Sequence, residues 1–165
     1  MEELRQSKIL IVDDQEYNVS LLERILGRAG FKNVHSTTDS MKIEEMLGEV
    51  DPDIVLLDLH MPGMDGLQAL RLIRERNGED VYLPVLMLTA DMTPEAKQEG
   101  LKAGVNDYLT KPYDRMEVIL RIENLLRTRQ LHLQLQQQNL TLEDRVRERT
   151  RELPQAKFEI LPLLG

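Results

Sequence analysis

The stretch KILIVDDQEYN, residues 8–18, sets two adjacent carboxylates directly behind a short apolar run. Its first half is rich in isoleucine, leucine and valine, and a short run of this kind favours a buried β-strand. Asp13 and Asp14 follow at once, and neighbouring carboxylates repel each other unless a helix N-terminus or a bound cation stabilises them. The stretch therefore predicts a strand that ends at a helix start, at a metal site, or at both.

Strand-like and helix-like patterns alternate along the following hundred or so residues. Each short apolar run is followed by a pattern with the 3.6-residue period of a helix. Asp39 and Thr93 stand where helices are expected to be capped, Gly104 where one is expected to end, and Asp114 where the last one begins. This alternation predicts a parallel sheet with helices on both faces. The five predicted strands are KILIV, NVHST, DIVLLDL, LPVLMLTA and DYLT.

Polar residues lie at the carboxyl ends of four of these strands, namely Asp13 and Asp14, Asp58, Thr89 and Lys111. Each has an ordinary interpretation when taken alone, such as a helix cap for Asp14 or a solvated loop residue for Lys111. Because the carboxyl ends of parallel strands meet at one edge of a sheet, we expect all five to converge there. Three carboxylates suit a hard cation such as Mg²⁺, and the hydroxyl and ammonium groups suit an incoming anion. The set therefore favours phosphoryl transfer.

Composition excludes several other classes. The 165-residue chain has no cysteine, which rules out disulfides and thiolate zinc sites. Residues 1–124 carry 14 basic and 24 acidic residues, and residues 125–165 carry 7 basic and 5 acidic ones. An acidic body argues against direct nucleic-acid binding. No apolar run is long enough to span a membrane, and residues 1–8 lack a secretory hydrophobic region, so we expect a cytoplasmic protein.

The motifs VDDQ, LLDLHMPGMDG, LTA and KPY together resemble the receiver domain of bacterial two-component response regulators, over residues 7–127. The resemblance implies a flavodoxin-like, doubly wound, five-stranded parallel sheet with five helices, the last extended into a long helix or coiled coil. It also implies that Asp58 accepts a phosphoryl group from a sensor histidine kinase or phosphotransfer protein. Mg²⁺, or Mn²⁺ in its place, would be held by Asp13, Asp14, Asp58 and the backbone carbonyl of His60.

The same resemblance assigns roles to the remaining polar residues. Lys111 and Thr89 would each bind a phosphoryl oxygen. Tyr108 would act with Thr89 as a switch, moving inward as Thr89 moves toward the phosphoryl group. Pro112 would follow a cis peptide bond, which costs little before proline.

Two other functions compete with a phosphoacceptor that signals and has no turnover substrate. A Mg²⁺-dependent phosphatase with an aspartyl nucleophile usually places that residue after the first strand as Asp-x-Asp, and DDQE does not match. A phosphorylation-independent interaction or dimerisation scaffold is the other alternative, and the presence of every reactive residue weighs against it. We therefore expect a signalling domain rather than an enzyme acting on a metabolite.

The tail follows a different pattern, with no glycine or proline from residue 125 to residue 153. We predict a receiver domain over residues 1–124, a helical coiled-coil linker over 125–153, and an irregular segment over 154–165 that contains Pro154 and Pro162. A homodimer through this helix is expected, and Asn139 would fix the register if the two helices run parallel. The alternative is a single amphipathic helix that packs on its own receiver or on a domain absent from the sequence. The heptad seam comprises Leu125, Thr128, His132, Leu135, Asn139, Leu142, Val146, Arg149 and Leu153.

The end of this helix resembles the linkers that join receivers to output domains. The segment VRERTREL is similar to those that precede HD-type cyclic-di-GMP phosphodiesterase domains, and also to those before kinases and cyclases. The 165 residues contain no helix-turn-helix pattern, HD metal motif or glycine-rich nucleotide loop. We therefore expect this chain to be a fragment of a longer regulator whose output domain is absent from the sequence.

Overall fold

A computed structural model describes residues 2–78, 81–90 and 93–164 of the chain. Five parallel strands form one sheet in the order β2-β1-β3-β4-β5. This confirms the predicted flavodoxin-like sheet. The strands are β1 Lys8–Val12, β2 Asn33–Thr37, β3 Ile54–Asp58, β4 Val85–Thr89 and β5 Asp107–Thr110. The helices are α1 Glu2–Arg5, α2 Glu16–Arg28, α3 Ile43–Val50, α4 Gly66–Asn77, α5 Pro94–Ala103 and α6 Arg115–Leu164, with a 3₁₀ turn at Ser40–Lys42.

Alternate residues of the central strands face opposite layers of helices. In β1, Ile9 and Ile11 join the buried cluster that contains residues of α2 and α6. Leu10 and Val12 join the second cluster, which contains residues of α3 and α4. Burial on both faces explains why the inner strands are continuous apolar runs and why helices flank the sheet on both sides.

The predicted local signals are confirmed where they can be read from single residues. Asp39 accepts a hydrogen bond from the Met41 amide at the start of the 3₁₀ turn, and Thr93 caps α5 by accepting from the Ala96 amide. Gly104 ends α5 in the left-handed conformation that favours glycine. The Lys111–Pro112 peptide bond is cis, as expected.

The described residues form six α-helices, whereas the sequence predicted five. The additional helix, α1, is held by two residues. Leu4 is buried against the first core cluster, and Arg5 pairs with Glu123 at 2.7 Å. Arg5 also lies over the ring of Phe31, 4.4 Å from its centroid. A four-residue helix is too short to produce a periodic pattern, so only these tertiary contacts reveal it.

The chain divides into two units, Met1–Arg129 and Gln130–Gly165, and α6 contributes to both. The first unit therefore extends beyond the predicted limit at residue 124. Leu125 and Leu126 are buried in its core, and Arg129 donates to Asp53 at 3.1 Å. Leu125 is thus a core residue, and its assignment to the coiled-coil seam was wrong. An apolar residue at a helical spacing fits either role until its neighbours are known.

In the second unit, residues 130–164 are helical. The irregular conformation predicted for residues 154–165 is wrong for residues 154–164, because a helix accommodates the fixed φ of proline at the loss of one backbone hydrogen bond. Gly165 lies outside the described residues. Within the described part of the chain, no helix is both long and apolar enough to cross a bilayer.

Candidate functional site

Four strand ends bring the predicted polar residues to one edge of the sheet. Asp58 and Thr89 are the last residues of β3 and β4, while Asp13 and Lys111 directly follow β1 and β5. The parallel register sets Asp58 beside Leu88 and the end of β4 beside the end of β5. The amide of Lys111 donates to the carbonyl of Thr89 at 2.9 Å. The sheet itself therefore fixes the spacing of these side chains.

Three carboxylates are crowded together at this edge. Oxygen atoms of Asp13, Asp14 and Asp58 lie within 4.8 Å of one another. Asp13 and Asp58 are buried, with 0% and 3% of their surface exposed. Asp13 Oδ1 accepts from the Gln15 amide at 2.9 Å, but Asp13 Oδ2 is buried without a hydrogen-bond partner among the described residues. A buried, unsatisfied carboxylate oxygen in an all-oxygen cluster fits a hard divalent cation.

Asp14 does not serve as the cap of the helix that follows it. Gln15 occupies the N-cap position of α2, and its side chain makes no cap hydrogen bond. This removes the ordinary explanation for an acidic residue at position 14. Its carboxylate lies instead with those of Asp13 and Asp58 at the sheet edge.

One ammonium group lies among the carboxylates. Lys111 Nζ is 3.0 Å from Asp58 Oδ1 and 3.4 Å from Asp13 Oδ2, the second being an ion pair without hydrogen-bond geometry. Burial raises the pKa of Asp58 to about 7, the charge of Asp13 adds to the rise, and Lys111 opposes it. A single lysine does not offset three negative charges, and a bound cation would restore the ionised form of Asp58.

Thr89 and Tyr108 lie on neighbouring strands, and Tyr108 is turned to α5. Thr89 is almost fully buried, with 1% of its surface exposed. The hydroxyl of Tyr108 donates to the carbonyls of Ala96 and Lys97 on α5, at 3.3 and 3.1 Å. The structure thus shows one position of Tyr108, and its movement with Thr89 stays a prediction. The role of the His60 carbonyl likewise stays a prediction.

Three residues near the site were not singled out from the sequence. Ser40 is buried, donates to the Pro62 carbonyl at 3.1 Å and accepts from the Met64 amide at 3.3 Å, which holds the loop after Asp58. A Cβ at Gly66 would lie 2.5 Å from the backbone oxygen of Asp58, so α4 could not approach the acceptor with any larger residue there. The sequence signal for Gly66 was its place in the MDG motif.

Tyr113 is the third of these residues. Its hydroxyl is buried and has no hydrogen-bond partner among the described residues. Burial raises its pKa, as do the charges of Asp13 and Asp58. Its hydroxyl proton is therefore retained beside the carboxylates. The KPY motif was the only sequence signal, and it points to the lysine rather than to the tyrosine.

The predicted seam residues of the second unit are exposed in the single chain. Leu135, Leu142 and Val146 have 56%, 55% and 61% of their surface exposed, and Asn139 is exposed between them. Their spacing of three and four residues places them on one face of the helix. This face is exposed to solvent in the single chain, and the dimer itself stays a prediction.

Comparisons with known proteins agree with this geometry. Residues 9–123 match the family described as the response regulator receiver domain. The transcriptional regulatory protein TrcR of Mycobacterium tuberculosis is 35% identical over 95% of this chain and 63% of its own length. The chain spans less than two thirds of the length of this relative.

Solved structures give the same result for the fold. The Vibrio cholerae chemotaxis protein CheY4 superposes with a TM-score of 0.66 and 28% identity, covering 73% of this chain and 98% of its own. The signal receiver domain of an HD domain-containing protein from Pseudomonas fluorescens Pf-5 gives a TM-score of 0.71 and 25% identity. That match covers 79% of this chain and 93% of that domain.

Proposed function

Because this chain belongs to the response regulator receiver domain family of two-component systems, we propose that Asp58 accepts a phosphoryl group from a phosphohistidine. The donor would be a sensor histidine kinase or a phosphotransfer protein. The chain would then signal through a change of conformation rather than turn over a metabolite. The proposal is supported above all by one observation, the buried Asp13–Asp14–Asp58 cluster with Lys111 in contact with Asp58.

The proposed reaction uses groups that the sheet edge already holds together. An oxygen of the Asp58 carboxylate attacks phosphorus, the new O–P bond forms as the P–N bond to the donor imidazole breaks, and the departing nitrogen keeps the electron pair. Lys111 and Thr89 bind phosphoryl oxygens. Mg²⁺ or Mn²⁺, held by the three carboxylates and the carbonyl of His60, supplies charge neutralisation when bound.

The proposed signal runs through Thr89 and Tyr108. Thr89 lies at the end of β4, so its hydroxyl can turn to a phosphoryl group on the neighbouring strand. Strand β4 pairs directly with β5, and its residue Met87 lies beside Tyr108. A shift of Thr89 would then free space into which Tyr108 moves from its present contact with α5.

Intact mass spectrometry tests the acceptor. We expect incubation with Mg²⁺ and acetyl phosphate to add one phosphoryl group, and Asp58→Asn to abolish the addition. Asp53→Asn, at the opposite edge of the sheet, is the matched control and should be phosphorylated like the parent chain. Steady phosphate release without a mass increase would favour the phosphatase. A chain that binds Mg²⁺ but gains no mass would favour the phosphorylation-independent scaffold.

For the second unit we propose a parallel homodimer through Leu135, Asn139, Leu142 and Val146, leading to an output domain beyond residue 165. The exposed apolar seam supports this, and Asn139 would fix the register. The solved receiver from an HD domain-containing protein supports an output domain of that kind. The acidic first unit supports a protein partner rather than direct contact with nucleic acid, and the family supports a cytoplasmic location.

Light scattering tests the dimer. We expect a dimer mass for the parent chain and a monomer mass for Leu142→Asp. Leu140→Asp is the matched control, because Leu140 is similarly exposed, at 61% against 55% for Leu142, but lies outside the seam. A monomer for the parent chain, with and without beryllofluoride as a phosphoryl mimic, would remove the proposal.

A further inference from the structure

The glycine at position 100 leaves a gap in α5 that Tyr108 fills. A Cβ at Gly100 would lie 1.7 Å from the hydroxyl oxygen of Tyr108 and 2.9 Å from its Cζ. Real Cβ atoms do not approach other atoms so closely, so a side chain at position 100 and the present position of Tyr108 exclude each other. A glycine in a helix interior makes the helix less stable than an alanine would, so Gly100 by itself destabilises α5.

One hydroxyl proton, shared between two backbone carbonyls, holds the phenol in this gap. The hydroxyl donates to the carbonyls of Ala96 and Lys97, which lie on the same helix one turn before Gly100. Val105 bounds the gap on another side, with its Cγ1 3.3 Å from a Cβ at position 100. Burial against α5 raises the pKa of Tyr108, consistent with a phenol that is held rather than solvated.

We propose that Gly100 is a positioning residue, which allows Tyr108 to rest on α5 and thereby sets the balance between this position and an inward one beside Thr89. The inward position of Tyr108 rests on the proposed function, whereas its contact with α5 at Gly100 does not. Adding a methyl group at residue 100 must displace something, and the end of the Tyr108 side chain moves more easily than the backbone of a helix. In Gly100→Ala, Tyr108 therefore leaves α5 without any phosphoryl group.

The chain supplies a matched control for this substitution. Gly27 is also a helical glycine, in α2, and a Cβ there would meet nothing within 4 Å. Gly27→Ala makes the same chemical change and gains the same helix propensity, but it touches no side chain. Any effect of Gly100→Ala that Gly27→Ala lacks therefore belongs to the contact with Tyr108.

The experiment follows the four tyrosines of the full chain by NMR, after labelling their rings with ¹³C and assigning the signals with Tyr→Phe variants. We expect Gly27→Ala to leave the Tyr108 signal in place. Gly100→Ala should move it, without phosphoryl mimic, toward its position in the parent chain saturated with beryllofluoride and Mg²⁺. By linkage, Gly100→Ala should also bind beryllofluoride roughly 5-fold more tightly.

An unmoved Tyr108 signal in Gly100→Ala would overturn the inference, even if beryllofluoride moves that signal in the parent chain. If beryllofluoride does not move it in the parent chain, the inward switch fails instead, and a shift in Gly100→Ala still establishes the contact. Should Gly100→Ala unfold, the double variant Gly100→Ala/Tyr108→Ala decides. We expect it to be more stable to urea than Tyr108→Ala alone, and a lower urea midpoint would contradict the proposal.

Discussion

Aspartate side chains at the two edges of the sheet differ in how far their carboxylates are satisfied by hydrogen bonds. At the amino edge, Asp53 accepts hydrogen bonds from the Lys8 amide at 2.8 Å and from Arg129 at 3.1 Å. At the carboxyl edge, Asp13 keeps a buried oxygen without a hydrogen-bond partner among the described residues, and the pKa of Asp58 is raised to about 7. The same residue type is stabilised by its own chain at one edge and left for a ligand at the other.

At the amino edge, arginine side chains also donate several hydrogen bonds to the loops. Arg74 donates to the carbonyls of Leu83 and Gly104 at 2.6 and 2.7 Å and to Asn106 at 2.7 Å. Arg129 also donates to the carbonyl of Tyr82. These bonds join loops before β4 and β5 to helices. Among the described residues, two of the three buried side-chain atoms without a hydrogen-bond partner, Asp13 Oδ2 and the Tyr113 hydroxyl, belong to the carboxyl edge, and the third is a nitrogen of Arg5. Such a concentration of unsatisfied polar atoms is expected for a binding site.

The largest expected effect is a pH dependence that belongs to the carboxyl edge. Asp58 titrates at about 7 in the folded chain and near 3.8 when unperturbed. Between these values the folded chain binds more protons than the unfolded chain, so its free energy of unfolding falls as pH rises, by about 2–4 kcal/mol in all, and levels off above the folded pKa. Urea unfolding in EDTA, from about pH 5 to about pH 8, measures this slope.

Mg²⁺ and Asp58→Asn are the controls for that slope. A divalent cation binds the ionised carboxylates and should stabilise the folded chain most at high pH, which flattens the dependence. Asp58→Asn should remove the contribution of Asp58 in EDTA. A stability that rises over the same range without Mg²⁺ would contradict the raised pKa and the comparison built on it.

A smaller effect is expected from neutralising Asp13. Asp13→Asn removes a buried charge that lacks a hydrogen-bond partner at Oδ2, so in EDTA the free energy of unfolding should increase by about 1–3 kcal/mol. The same variant should lose most of the stabilisation that Mg²⁺ gives the parent chain. Urea titrations with and without Mg²⁺ measure both. A loss of stability in EDTA would show that Lys111 satisfies Asp13 better than the geometry indicates.

The smallest effect is expected from the same isosteric change at the amino edge. Asp53→Asn removes the negative charge that pairs with Arg129 and leaves one side-chain oxygen where there were two. One of the two donors, the Lys8 amide or Arg129, therefore loses its acceptor, and the free energy of unfolding should fall by about 0.5–1.5 kcal/mol. This loss should be equal with and without Mg²⁺, because Asp53 lies away from the carboxylate cluster. If Asp13→Asn and Asp53→Asn change stability in the same direction, the contrast between the two edges does not hold.

Much of the fold and of the candidate site could be predicted because the signals are local. The strand at residues 8–12 and the helix after it show their own periodicity, and the caps at Asp39 and Thr93 need only the next few residues. The sequence predicted that Asp13, Asp58 and Lys111 lie close together, because parallel strands end at a common edge of the sheet. Their separation along the chain did not matter once the strand order was expected.

The sequence by itself determined the alternating elements, the parallel sheet and the set of polar residues at its carboxyl edge, because each depends on residues close together in the chain. Only the tertiary structure decided which residues far apart in the chain contact each other. Arg129 pairs with Asp53, 76 residues away, Leu125 enters the core, and Tyr108 occupies the gap at Gly100. A helical pattern states which face of a helix is apolar, but packing alone decides what that face contacts.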